Sequence, residues 1–253
     1  CIRDSYKRSS CNLELVAVSV RCFDFFSNKI CKLFPKFFQG SKKSRSTVHA
    51  NPHHRKKKRK IRSSRVYAYM LVVDESSSTG RYMRRGFGPT TTRIAAIQKA
   101  GHDYVRQLGR TNRNQLVGLV GFSDNATLYH PPAIVGKTAR RLHCALDRLH
   151  PQNMTNLSAG IELALQQLRN ISTRYRNMVV ITDGAANVQH SRLPSLIQQA
   201  KSLGVRVFTI GVGNNGDYDY DRDLLQTMAN ATGGRFNSAH SFATLQRALR
   251  KAC

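Results

Sequence analysis

Residues 71–79 read LVVDESSST: aliphatics of strand type stop at Asp74 and give way to an acid and a row of hydroxyls. A strand that ends this way delivers Asp74, Ser76 and Ser78 together at its carboxyl end, since positions i, i+2 and i+4 of a tight loop can turn their oxygens to one point. A second run, MVVITD at 178–183, also closes on an aspartate, Asp183, with Gly184 behind it as the turn residue.

Outward from these runs, the chain beyond Tyr67 alternates short apolar stretches with amphipathic helical ones, the signature of an α/β domain. The pattern predicts strands at Tyr67–Val73, Leu116–Gly121, Met178–Thr182 and Val205–Ile210, with shorter ones at Ala126–Tyr129 and Arg235–Asn237. Helical faces form from Ile94, Ile97, Tyr104, Val105 and Leu108, and from Ile161, Ala164, Leu165 and Leu168. A third is made by Leu193, Leu196, Ile197 and Ala200, and Gly204 is placed to end that helix as a left-handed cap. The crossovers are long enough for parallel pairing, so residues 67–253 are expected to form a doubly wound, mostly parallel six-stranded sheet with helices on both faces, a Rossmann-like arrangement.

Binding sites in such sheets gather at the carboxyl ends of the strands, where the strand order reverses. If the strands ending in Asp74 and Asp183 flank that point, two carboxylates face one another and call for a positive charge between them. Carboxylates and hydroxyls are hard oxygen donors, which suit Mg2+, Mn2+ or Ca2+ rather than zinc or copper. Each residue also has a plainer reading: a turn or helix cap for either aspartate, a solvated loop for the serines, and an N-cap for Thr155.

These residues resemble the von Willebrand factor type A (vWA) family. DESSS is similar to the DxSxS element of its metal ion-dependent adhesion site (MIDAS), TDG around Asp183 to its second aspartate element, and Thr155 in NMTNLSAGIELAL to its loop threonine. The resemblance runs over residues 67–252, and it implies a metal held by Asp74, Ser76, Ser78, Thr155 and Asp183 with one position left for a partner's carboxylate. Ser77 stands where glycine is common in the family, and the insert TGRYMRRGFGPTTTR (79–93) is more basic than a cation site leads one to expect. Arg81, Arg84 and Arg85 within it would attract an anionic partner.

Charge is concentrated ahead of the domain. Residues 1–66 hold 18 Lys and Arg against 3 Asp and Glu, whereas the remainder holds 23 against 11. Within this basic N-terminal arm, residues 22–38 place Phe23, Phe26, Ile30, Leu33, Phe34 and Phe37 near helical spacing among lysines. That pattern suits an amphipathic helix lying on an anionic membrane surface or docking on the domain. Residues 40–65, with RKKKRK at 55–60, read as a flexible polybasic linker that can meet nucleic acid or acidic lipid, or simply stay solvated. No stretch reaches the roughly 18 uncharged apolar residues of a membrane-spanning helix.

Other signals are weaker. GVGNNG at 211–216 matches a dinucleotide fingerprint, but DYDYDRD follows it and would repel a pyrophosphate. The acids Asp217, Asp219, Asp221 and Asp223 read as a capped, solvated helix start. Six cysteines include no CxxC pair; four crowd the first 31 residues, and Cys144 reads as a small core residue on a helix. His102, His130, His143 and His150 read as scattered surface or satisfied histidines.

The expectation is a non-enzymatic, divalent-cation-dependent protein-binding module in adhesion, surface or pilus-related assembly, with no small-molecule substrate. Alternatives are a companion subunit of a separate ATPase in metal insertion or complex remodelling, and nucleic-acid or membrane binding through residues 22–65. A metal-assisted hydrolase is disfavoured for want of a general base. A cell-surface or membrane-associated setting is preferred over the cytoplasm.

Overall fold

The computed structural model describes residues 65–83, 91–184, 190–213 and 219–252. The expected amphipathic helix at 22–38 and, but for Arg65, the polybasic linker at 40–65 lie outside the described residues. Arg65 itself stacks on the Tyr175 ring at 5.5 Å and gives its carbonyl to Gln115 Nε2 at 3.1 Å.

Six strands, β1 (Tyr67–Asp74), β2 (Leu116–Phe122), β3 (Ala126–Ile134), β4 (Tyr175–Thr182), β5 (Val205–Val212) and β6 (Phe236–Ala239), form one sheet in the order β3-β2-β1-β4-β5-β6. Every pair is parallel except β2 with β3. The expected strands are all present, and β3 runs five residues longer than its pattern suggested. It continues through Pro131 and Pro132, which a central strand could not accommodate; β3 is an edge strand, so a missing N–H need cost no ladder bond.

Among the described residues, six α-helices cover the sheet: α1 (Arg93–Thr111), α2 (Val135–Asp147), α3 (Leu157–Arg169), α4 (Leu193–Ser202), α5 (Arg222–Ala231) and α6 (Phe242–Lys251). The strand alternation decides which face each covers. Tyr69, Leu71 and Val73 of β1 pack with α1, α2 and α6, whereas Ala68, Met70 and Val72 pack with α3, α4 and α5. Gly204 closes the turn after α4 with φ 65°, the left-handed conformation expected of it. No helix among the described residues is long and apolar enough to cross a membrane.

Two expectations are overturned. Cys144 is exposed, because the buried stripe of α2 is Val135, Leu142, Ala145 and Leu146, and residue 144 falls beside it. Nor are all four histidines scattered: His102 of α1 and His143 of α2 stack with their Nδ1 atoms 2.7 Å apart, and His102 Nε2 meets Asp147 Oδ1 at 2.8 Å. Sequence distance hid the pair, since α1 and α2 become neighbours only once both dock on one sheet face.

Candidate metal centre

β1 has β2 on one side and β4 on the other, so the strand order reverses at the β1/β4 crevice, where Asp74 and Asp183 end their strands. Strand β1 stops at Asp74 because the chain turns on its carboxylate: Oδ1 accepts from Ser76 N at 2.8 Å. One turn of 3-10 helix, Ser77–Gly80, follows and is closed by Thr79, whose N–H and hydroxyl both donate to Ser76 O. Ser76 occupies the N-cap of that turn without capping it. Its hydroxyl lies 2.9 Å from Ser78 Oγ, and Ser78 Oγ donates to Asp183 Oδ1 at 2.7 Å. Since the Ser78 proton is committed to Asp183, Ser76 donates to Ser78, and the chain of hydroxyls crosses from the β1 loop to the β4 end.

Thr155 arrives by a different route. The loop before α3 is stitched to the β1 loop by Ser77 N donating to Asn153 O and Gln152 N donating to Glu75 O, with Asn153 at φ 34° making the turn. Asn156 is the N-cap of α3, its side chain accepting from Ala159 N, so the plain reading of Thr155 as the cap does not hold. A Cβ placed on Gly184 would stand 3.1 Å from Thr155 Oγ1 and 3.6 Å from Ser78 Oγ. The two hydroxyls therefore converge beside Asp183, and all five residues expected of the site are brought together. Gly184→Ala is expected to crowd these hydroxyls and weaken Mg2+ binding in calorimetry while leaving the melting temperature within a few degrees of wild type. Unchanged affinity would show that the approach of Thr155 to Gly184 is not used.

The electrostatics of the crevice follow from burial. Asp74 and Asp183 are 0% and 1% exposed. Desolvation, and then repulsion from Asp183, push Asp74 up to about 6, against hydrogen bonds from Thr182 Oγ1 and Ser76. Burial also raises Asp183, opposed by hydrogen bonds from Ser78 and Arg93.

Three functional neighbours were not foreseen. Arg93, buried at 2% exposure, donates from Nη1 to Asp183 Oδ2 at 2.9 Å and from Nη2 to Asp219 Oδ2 at 2.7 Å. The guanidinium thus joins Asp183 to a third carboxylate, Asp219, which the sequence pattern read as part of a solvated helix start. Its signal was available: Arg93 falls at helical spacing with Ile97, Ala100 and Tyr104 on the apolar face of α1. Glu75, 1% exposed, accepts from Tyr129 Oη at 2.9 Å and His150 N at 3.1 Å, bracing the 150s loop against β3; burial raises its pKa. Thr182 Oγ1 holds the outer oxygen of Asp74. Arg81 is exposed, and Arg84 and Arg85 lie outside the described residues.

The fingerprint-like glycines have a packing explanation. A Cβ on Gly211 would meet the Tyr220 ring at 2.3 Å, and one on Gly213 would meet Asp219 Oδ2 at 2.8 Å. The glycines admit Tyr220 and Asp219 against the end of β5. Of the acids, Asp221 caps α5 by accepting from Leu224 N at 2.9 Å, but Asp219 is ion-paired to Arg93 rather than simply solvated.

The donor set is two carboxylates and three hydroxyls, all oxygen, which fits a hard divalent cation and the net negative charge of the pocket. Residues 70–251 match the family model of the von Willebrand factor type A domain. An uncharacterized protein of Borreliella burgdorferi is 26% identical over 214 residues, which cover 76% of this chain and 60% of that protein. The protein YfbK of Escherichia coli is 26% identical over 162 residues, 62% of this chain and 27% of that one. The chain thus spans less than two thirds of the length of either relative. Among solved structures, a von Willebrand factor type A protein from Catenulispora acidiphila superposes with TM-score 0.62 at 17% identity, covering 74% of this chain and 41% of that one. The PilB minor pilin from Streptococcus sanguinis gives 0.61 at 16%, covering 75% and 61%. Proximal thread matrix protein 1 from the mussel byssus, with a zinc-occupied MIDAS motif, gives 0.56 at 21%, covering 74% and 45%. At these identities the likeness to solved structures is one of fold.

Proposed function

This chain belongs to the von Willebrand factor type A domain family, and we propose that it is a divalent-cation-dependent protein-binding module whose site grips a carboxylate on a protein partner. The ligands are Asp74, Ser76, Ser78, Thr155 and Asp183. The observation that carries the reading is the hydroxyl chain from Ser76 through Ser78 to Asp183, set across the switch-point crevice beside two buried, mutually repelling aspartates.

A bound Mg2+, Mn2+ or Ca2+ ion supplies positive charge and an exchangeable coordination position that an anionic oxygen can take. The chain's own residues prepare the site. Thr182 and Arg93 hold the outer oxygens of Asp74 and Asp183, which limits how far either carboxylate can turn away. Asn156 and Glu75 fix the loop that carries Thr155. The fold shared with a minor pilin and with a byssus matrix protein supports a role in adhesion, surface or pilus-related assembly, and a surface or membrane-associated setting. The module binds and does not catalyse.

Capture of partners from an extract by the immobilised full chain is expected with millimolar Mg2+ or Mn2+ and to be lost with EDTA. Asp74→Ala should be as inactive as the chelated wild type. Calorimetric titration with Mg2+, Mn2+, Ca2+ and Zn2+ separates the ion from the partner. A folded wild-type chain that takes up none of the four at millimolar concentration would falsify the site, and capture indifferent to EDTA would remove the cation from recognition.

A further inference from the structure

The buried guanidinium of Arg93 has one prong in the metal centre and one outside it. At the first position of α1, its side chain is enclosed, with Nη1 on Asp183 Oδ2 and Nη2 on Asp219 Oδ2. Asp219 belongs to no ligand set named above. It follows β5 in the chain and is seated by design of the backbone: Gly213 leaves room for its carboxylate, Gly211 for the neighbouring Tyr220 ring, and Tyr220 Oη is tied to Ser238 Oγ at 2.7 Å. Two glycines and a tyrosine anchor thus place one carboxylate where the outer prong of Arg93 ends.

Resting on the cation-site reading above, we infer that Arg93 is a positioning residue that couples the affinity of the site for its cation to Asp219. A planar guanidinium can bond two carboxylates at once, and its charge is shared between them. While Asp219 neutralises the outer prong, the positive field that Arg93 projects onto Asp183 is reduced, and a divalent ion meets less repulsion. When Asp219 is neutralised or displaced, the guanidinium turns its full charge on Asp183 and the ion binds less tightly. Reciprocity requires the converse: a cation at the site strengthens the grip of Arg93 on Asp219. Anything that engages the segment carrying Asp219 therefore senses whether the metal is bound, and changes its occupancy in return.

The test is Mg2+ calorimetry on the full chain. Asp219→Asn is expected to weaken Mg2+ binding at least about five-fold. Gly213→Ala, whose methyl would displace Asp219 Oδ2, should reproduce that loss with every acid still in the sequence. In an Arg93→Lys background the charge remains but a single ammonium cannot span both carboxylates, so adding Asp219→Asn should alter affinity by less than about two-fold. A purely structural part for Arg93 would lower the melting temperature of these variants and leave the Mg2+ affinity of Asp219→Asn at the wild-type value, which overturns the coupling. Equal losses from Asp219→Asn in both backgrounds would overturn it too, because the effect would then be the direct field of Asp219. Should Arg93→Lys fail to fold, Asp219→Asn and Gly213→Ala still decide the matter. A wild-type chain without Mg2+ binding sinks the cation site itself, whereas binding indifferent to these variants sinks the Arg93 coupling alone.

Discussion

Asp74→Asn is expected to make the metal-free domain more stable than wild type at pH 7.5, and to erase its response to Mg2+. Asp74 is fully buried and its pKa stands at about 6, with burial the first cause and Asp183 the second. Holding it ionised above that pH costs on the order of 3 kcal/mol relative to the unfolded chain. Asparagine fits the same contacts. Its carbonyl can accept from Ser76 N, and Thr182 Oγ1, which already lies 3.2 Å from Gly184 O, can donate there and accept from the new amide.

The sign follows from the direction of the shift. The native carboxyl binds its proton more tightly than the unfolded one, so the ionisation cost is fully present above about pH 6 and disappears as pH falls towards 4. The advantage of Asp74→Asn should shrink over that window. Comparing the two proteins is essential, because buried His130 and half-buried His143, both with lowered pKa, oppose the trend in wild type as they take up protons. Magnesium at about ten times its dissociation constant should add roughly 1.4 kcal/mol to wild type and nothing to the variant. Thermal melts in EDTA and in Mg2+ at pH 4.5, 6 and 7.5 measure all of this; a variant less stable than wild type in EDTA at pH 7.5 contradicts the account.

Gly234→Ala should move stability as far in the other direction. Its Cβ would stand 1.9 Å from Val207 O and 2.6 Å from Val207 C, which are backbone atoms of β5. Val207 is itself paired with Met178 of β4, so the strand has no free side on which to retreat. The turn cannot easily yield either, since Gly233 takes φ 73° and Gly234 N donates to Ala229 O. A loss of about 3 kcal/mol or more is expected, a fall in melting temperature of roughly 6–12 °C for a domain of this size. A fall of under about 2 °C would mean that the β5–β6 connection shifts freely. Gly211 lies on the same strand and Gly213 just past its end, and together they seat Tyr220 and Asp219, so the variant should also lose Mg2+ affinity.

The sequence by itself determined the fold class, because its information is local and periodic. Aliphatic runs at 70–73 and 178–181 report strands buried on both faces, and the repeat at Leu193, Leu196 and Ala200 reports a helix docked on them. Of the candidate site residues, Asp74, Ser76, Ser78 and Asp183 were legible for the same reason, since three share one loop and the fourth ends a strand, while Thr155 was marked only by the resemblance of its loop to the vWA family. Tertiary structure alone decided what lies between them. Arg93 is 90 residues from Asp183 and 126 from Asp219, and it becomes their bridge only because α1 begins beside the ends of β4 and β5. His102 finds His143 only because α1 and α2 share a sheet face. Local pattern records how a residue sits on its own element. Buried charges and aromatic rings choose partners by the free energy of leaving water, and those partners are selected in space, after the sheet has fixed which segments meet.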